Sequence, residues 1–187
     1  MQTEPYAGIY TIGYGTLELE RWVSLLKQLN IQYLIDVRSR PFSSYRPEFS
    51  KSNLAAFLAN HKIKYVFMGD KLGGQPEDEE CYDKDGRVIY SKCETRPNYI
   101  SGIRRIETNL KGNIRLCLMC AEGKPEECHR SKLIGETLFR KNIGVWHILH
   151  NGKILSQIEL RAKIGKSQMN MFGETLTSRR KYNAKSD

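Results

Sequence analysis

The sequence predicts an α/β domain of three layers, α/β/α, around a mostly parallel five-stranded sheet, followed by a basic, flexible tail. Short apolar runs alternate with amphipathic stretches of roughly 10 to 15 residues, the pattern of a parallel sheet covered on both faces. The chain has 187 residues, enough for one sizeable core without disulfide staples. After Asn151 and Gly152 the periodicity degrades, which places the α/β domain at 1–151 and a short helix plus tail at 152–187.

Each element has its own signal. Residues 8–14 form an apolar run that predicts a strand. Leu17, Leu19, Trp22, Val23, Leu25, Leu26 and Leu29 then recur at helical spacing, with Thr16 placed as N-cap. Residues 33–38 predict a second strand. Residues 50–61 predict a second helix, capped by Ser50 and stapled by Phe49 onto Leu54. A third strand follows at 64–68. The stretch 69–91, with Gly73, Gly74 and the acidic run Glu77 to Glu80, is too long for a plain connector and has the length of a lid. Helices at 97–110 and 128–141 and strands at 114–120 and 145–150 complete the domain, and 154–164 suits one more helix.

Charge and composition bound the function. The formal charge is +9, of which +5 falls on residues 152–187. A basic tail beside a moderately basic domain favours a polyanion, most simply nucleic acid or another phosphorylated substrate. The longest apolar runs fall far short of the roughly 20 residues a membrane span needs, so no membrane association is expected. The first residues carry neither a basic nor an apolar targeting segment, so a cytoplasmic protein with reduced cysteines is expected.

Ligands of parallel sheets bind beyond the carboxyl ends of the strands, so the site is sought there. After the first strand, Gly13, Gly15 and Thr16 lead into a helix, either as an anion-holding turn or as a plain capped one. After the second strand come Arg38, Ser39, Arg40, Ser43 and Arg46. Arginine forks and hydroxyls are the donors an oxyanion needs, unless Arg38 simply pairs with Asp36. After the fourth strand come Cys120, Cys128, His129, Arg130 and Ser131. Cys120 falls where that strand ends. Cys128, His129 and Arg130 open the next helix, where the field lowers a thiol pKa and favours an anion. Cys120, Cys128 and His129 are the candidate catalytic groups, with Arg130 and Ser131 joining the anion donors; packing of buried thiols is the alternative. Cys117 is assigned to the core, and His147 and His150 to structural roles. Zinc is set aside, because Cys117 and Cys120 face opposite sides of a strand and adjacent Cys128 and His129 would strain a tetrahedral site. No metal or other cofactor is expected.

Five stretches in order, Ile9 to Thr16, Leu34 to Pro41, Arg46 to Phe49, Leu72 to Gly74, and Cys120-Ala-Glu with Cys128-His-Arg130, resemble the family called domain of unknown function 488 over about residues 8–150. The resemblance implies an α/β domain and a shared Arg and Cys-His-Arg pocket, and no known reaction. Tyr14-Gly15 departs from the His-Ser of many relatives. A more distant similarity is to rhodanese-like and cysteine-phosphatase folds, from which the spacing departs: Arg130 lies ten residues after Cys120 rather than six. In the tail, Gln168, Met171 and Phe172 resemble the short peptide with which bacterial repair and replication proteins dock on the sliding clamp.

Three functions compete. The first is an enzyme on nucleic acid or a nucleotide, in which the arginines hold phosphate, a cysteine attacks and His129 moves a proton; a role in DNA repair would suit the clamp-like peptide. The second is a noncatalytic nucleic-acid-binding or repair-accessory module. The third is a rhodanese-like sulfur or phosphoryl transferase on a small molecule.

Overall fold

The computed structural model describes residues 8–112, 114–167 and 177–178. The clamp-like residues Gln168, Met171 and Phe172 lie outside them. Five parallel strands, β1 (Ile9–Gly13), β2 (Tyr33–Asp36), β3 (Lys64–Phe67), β4 (Leu116–Cys120) and β5 (Val145–Ile148), form one sheet. A sixth strand, β6 (Ile154–Ser156), pairs antiparallel with β5, giving the order β3-β2-β4-β1-β5-β6. The five-stranded expectation missed β6 because the chain reverses tightly at Gly152, whose φ is +82°, with Leu149 N–H donating to the Lys153 carbonyl at 2.9 Å. Three residues then pair before helix α7 (Gln157–Ser167) begins. Of the predicted tail, Thr177 bridges Ile89 in antiparallel fashion, and the Ser178 hydroxyl accepts from Val88 N–H at 3.0 Å.

Strand alternation sorts the sheet into two apolar faces. Tyr10, Ile12, Leu34, Cys117, Met119 and Ile148 pack against helix α1 (Leu19–Gln28), through Trp22, Leu25 and Leu26, and against α2 (Lys51–Asn60), through Leu54 and Leu58. Ile9, Ile35, Leu116, Leu118 and Val145 face the other way. They meet the region 69–93, which carries short helices α3 (Gly69–Leu72) and α4 (Tyr90–Cys93), then α5 (Pro97–Leu110) and α6 (Glu136–Arg140). The 69–91 stretch expected as a lid buries Leu72, Cys81, Val88 and Tyr90 in this core, so much of it is packed structure.

Two helix starts differ from expectation. A turn closed by Leu17 N–H on the Tyr14 carbonyl (2.8 Å), with Gly15 at φ +48°, moves the N-cap position of α1 to Glu18, whose side chain makes no capping bond, and Thr16 is left exposed. The helix predicted over 128–141 is a π-helical turn, Arg130–Gly135, running into α6. Such turns recur at functional sites. Ser50 takes its predicted position before α2, where its hydroxyl ties Ser43 rather than the helix amides. Among the described residues no helix is long and apolar enough to cross a membrane.

His147 locks the layers together. Its Nδ1 lies 2.7 Å from Thr11 Oγ1 and its Nε2 2.7 Å from Gln157 Oε1, while Gln157 Nε2 donates to Glu136 Oε1 at 2.6 Å. Since an amide oxygen only accepts, Nε2 carries a hydrogen. Burial, helped by Arg130, lowers its pKa to about 4. The unfolded chain takes up this proton near the ordinary pKa of about 6.5. Stability is therefore full above pH 6.5 and falls as the pH drops toward 4, by about 3 kcal/mol in total. Urea denaturation at pH 7 and pH 4.5 should show a larger acid loss for wild type than for His147→Gln; equal losses would exonerate His147.

Candidate active site

The carboxyl ends of β1, β2 and β4 surround a pocket of about 280 Å³. Tyr14, Arg38, Ser39, Arg40, Phe42, Gly74, Gln75, Cys120, Glu122 and His129 line it. This is where a parallel sheet gathers its loops and where the sequence directed the search. A larger groove of about 720 Å³ shares Ser39 and Gln75 and runs past Asp70, Glu77, Asp78, Arg96 and the buried Cys81 and Cys93.

The arginine loop divides into scaffold and wall. Arg38, 5% exposed, forks onto Asp36, with Nη2 to Oδ2 at 2.6 Å and Nε to Oδ1 at 3.0 Å, and Nη2 also reaches the Phe49 carbonyl at 2.8 Å. The local pairing weighed from the sequence is therefore present. Tyr65 adds its hydroxyl to Asp36 Oδ2 at 2.6 Å. Nη1 of Arg38 remains buried without a hydrogen-bond partner, and the Tyr14 ring lies 5.5 Å from the guanidinium carbon. The paired Asp36 more than offsets burial and keeps Arg38 charged. Ser39 accepts from Gln75 N–H at 2.8 Å, pinning the second glycine-rich loop over the pocket. Arg40 is exposed on the wall, beside Phe42 at 74% exposure.

Other expected anion donors are engaged elsewhere. Arg46 holds the Gly15 and Leu17 carbonyls at 3.2 and 2.8 Å and pairs with Glu48. Ser43 Oγ accepts from Arg46 N–H at 2.9 Å. Ser131 donates to the Pro125 carbonyl at 2.6 Å. Arg130, 0% exposed, donates to the carbonyls of Glu122 (2.5 Å) and Gly123 (3.0 Å) and so shapes the loop after β4. Thr16 is not part of the pocket wall.

Cys120, Cys128 and His129 do meet. Cys128 ends a short 3-10 turn in an extended conformation (φ −117°, ψ 144°) and His129 opens the next turn (φ −61°, ψ −25°). This change of backbone direction swings the two adjacent side chains onto one point, so the adjacency expected to keep them off a shared ion does not separate their donor atoms. His129 Nδ1 lies 3.7 Å from Cys120 Sγ and 3.8 Å from Cys128 Sγ. Glu122, which sequence reasoning passed over although it stands two residues after Cys120, brings Oε2 to 2.7 Å from Cys120 Sγ and 3.2 Å from Cys128 Sγ. Burial and the neighbouring Cys128 push the Cys120 thiol up. At Cys128 burial opposes ionisation, but the Cys120 thiol, Arg130 and His129 outweigh it and hold the thiol well below the usual range. Cys117, buried on the opposite face, is pushed up by burial, as a packing thiol should be.

Glycines permit the closeness. A Cβ on Gly74 would sit 2.7 Å from His129 Nδ1, and one on Gly13 would collide with the Glu122 carbonyl. Four of the five stretches, and every pocket residue except Tyr14, fall within the match to one family model, described as domain of unknown function DUF488, over residues 18–136. The chain belongs to the DUF488 family. No curated protein and no solved structure matches it. In this DUF488 domain the matched region spans β2, β3 and β4 and every residue of the thiol, imidazole and carboxylate cluster. It leaves β1, with Tyr14, outside.

Proposed function

We propose that this DUF488 protein is an enzyme that binds a nucleotide or a nucleic-acid strand in the pocket and acts on it at the Cys120, Glu122, Cys128 and His129 cluster. One observation carries the reading: a single loop supplies buried Arg38, exposed Arg40 and the exposed ring of Phe42 on the pocket wall beside that reactive cluster, with Tyr45, 92% exposed, further along the same loop. Cations for phosphate next to unburied aromatic faces for bases are the composition of a single-strand binding groove. The net charge of +9 supports the same partner. Large exposed rings have no packing reason to be there, and a stacked base would cover them.

The test is fluorescence anisotropy of labelled single-stranded DNA and RNA oligonucleotides across a salt series. Phe42→Ala and Tyr45→Ala should each weaken binding roughly 5- to 100-fold, since a stacked base is worth about 1–3 kcal/mol. Arg40→Ala should reduce the slope of log affinity against log salt by about 0.7. Affinity indifferent to all three variants would refute the assignment. Oligonucleotide or nucleotide products should form with wild type and fail to form with Cys120→Ser. Tight binding with no product from any strand or nucleotide would leave the protein a binding module.

A further inference from the structure

We infer that Cys120, Cys128, His129 and Glu122 form a divalent metal site of the zinc type. Their four donor atoms all lie within 4.8 Å of one another. Around a tetrahedral zinc, with Zn–S of about 2.3 Å and Zn–N of about 2.0–2.1 Å, sulfur and nitrogen sit about 3.5 Å apart and two sulfurs about 3.8 Å. The two sulfur–nitrogen separations here are 3.7 and 3.8 Å, whereas Glu122 Oε2, at 2.7 and 3.2 Å from the sulfurs, sits closer to them than the separation of about 3.5 Å around a shared tetrahedral ion. Two thiolates, an imidazole and a carboxylate are donors that zinc accepts, and the soft sulfurs disfavour magnesium or calcium.

Three surrounding features point the same way. His129 Nε2 lies 3.0 Å from the Val37 carbonyl, which only accepts, so Nε2 holds a hydrogen and Nδ1 is the ring nitrogen that faces the sulfurs. That outer hydrogen bond is how ligating histidines are oriented. Cys128 Sγ accepts from Arg130 N–H at 3.4 Å, a bond that suits a thiolate. Arg130 itself is wholly buried and pairs with no carboxylate side chain among the described residues. Two thiolates and a carboxylate around a divalent ion leave one net negative charge, which this guanidinium balances.

The ligands are not equivalent. Cys120, Cys128 and His129 are buried, whereas Glu122 is exposed; Cys120, Glu122 and His129 all border the pocket, and Cys128 lies behind them. Three closed ligands with one replaceable position facing a substrate pocket is the arrangement of a catalytic rather than a purely structural ion. The site itself does not depend on which ligand the pocket takes.

The experiment is metal analysis of the full-length protein purified under reducing conditions, followed by cobalt replacement. About one equivalent of zinc per chain is expected, and cobalt should produce thiolate charge-transfer absorption with the intense visible bands of a tetrahedral site. Cys128→Ser and His129→Gln should lose both signals, and Glu122→Gln should retain cobalt more weakly. Should those variants not fold, the wild type still decides: the cysteine pair should resist a thiol reagent until a chelator is added, and zinc should raise the Tm of the stripped protein. Metal-free protein that gives no cobalt spectrum, thiols equally reactive with and without chelator, or a Cys120–Cys128 disulfide would each overturn the site. None of these readouts involves an oligonucleotide, so failure here is separable from failure of the nucleic-acid reading.

Discussion

Asp36→Ala is expected to destabilise the protein by about 3–5 kcal/mol, because it strands a buried cation. Asp36 is 0% and Arg38 5% exposed, and the carboxylate takes bonds from Arg38 Nε, Nη2 and backbone N–H and from the Tyr65 hydroxyl. Removing it leaves the guanidinium with the Phe49 carbonyl alone. At about 2–4 °C per kcal/mol for a domain of this size, the Tm should fall by roughly 10 °C. A second variant separates architecture from function. In Asp36→Leu with Arg38→Met both charges go and a packed apolar pair replaces them, so much of the stability should return. Oligonucleotide binding should stay weaker than wild type, since one of the two arginines that line the pocket is gone. Urea denaturation and anisotropy on the same preparations test both halves. A single Asp36→Ala variant as stable as wild type would mean that the pair adds little to the fold.

Arg130→Met should cost about 3 kcal/mol and loosen one loop selectively. The arginine donates to the Glu122 and Gly123 carbonyls, and losing a buried charged donor leaves both acceptors unpaired. Gly15 N–H donates to the Ala121 carbonyl at 2.9 Å, so β1 and the loop share this support. Hydrogen exchange should rise in peptides covering residues 120–125 while α1 and α2 stay protected, and Glu122 should lose its fixed approach to the two sulfurs. Uniformly faster exchange throughout the chain would indicate global destabilisation without a loop-specific role. Lysine would not substitute, because a single ammonium lacks the fork that reaches two carbonyls at once.

Local pattern carried a good deal of the fold and part of the site. Leu116 to Cys120 is a continuous apolar run, and Leu34 to Val37 is one broken only by Asp36, because both faces of a parallel sheet are buried. Trp22, Leu25 and Leu26 recur at helical spacing because one helix face is covered. The position of the pocket followed from the same logic, since strands alternating with helices leave their loops at one sheet edge. β6 escaped because three residues beyond a turn have too short a pattern to separate from the helix that follows.

The roles of charged and reactive side chains were settled by distance across the fold. Arg38, Ser39, Arg40, Ser43 and Arg46 look alike in sequence as donors on one loop, yet Asp36 takes Arg38, the Gly15 and Leu17 carbonyls take Arg46, and only Ser39 and Arg40 stand on the pocket wall without a fixed carboxylate partner. Which carbonyls capture the half-buried Arg46 guanidinium depends on segments about thirty residues away. Cys128 and His129 looked too close in sequence to share an ion until the backbone turned between them. The sequence by itself determined the layers, the edge of the sheet that carries the site and the residue types gathered there, because periodicity and strand ends are local properties. Only the tertiary structure decided which arginines are scaffold and that Glu122 joins Cys120, Cys128 and His129, because the free energy of a buried polar group is set by its partners, and these come from distant parts of the chain.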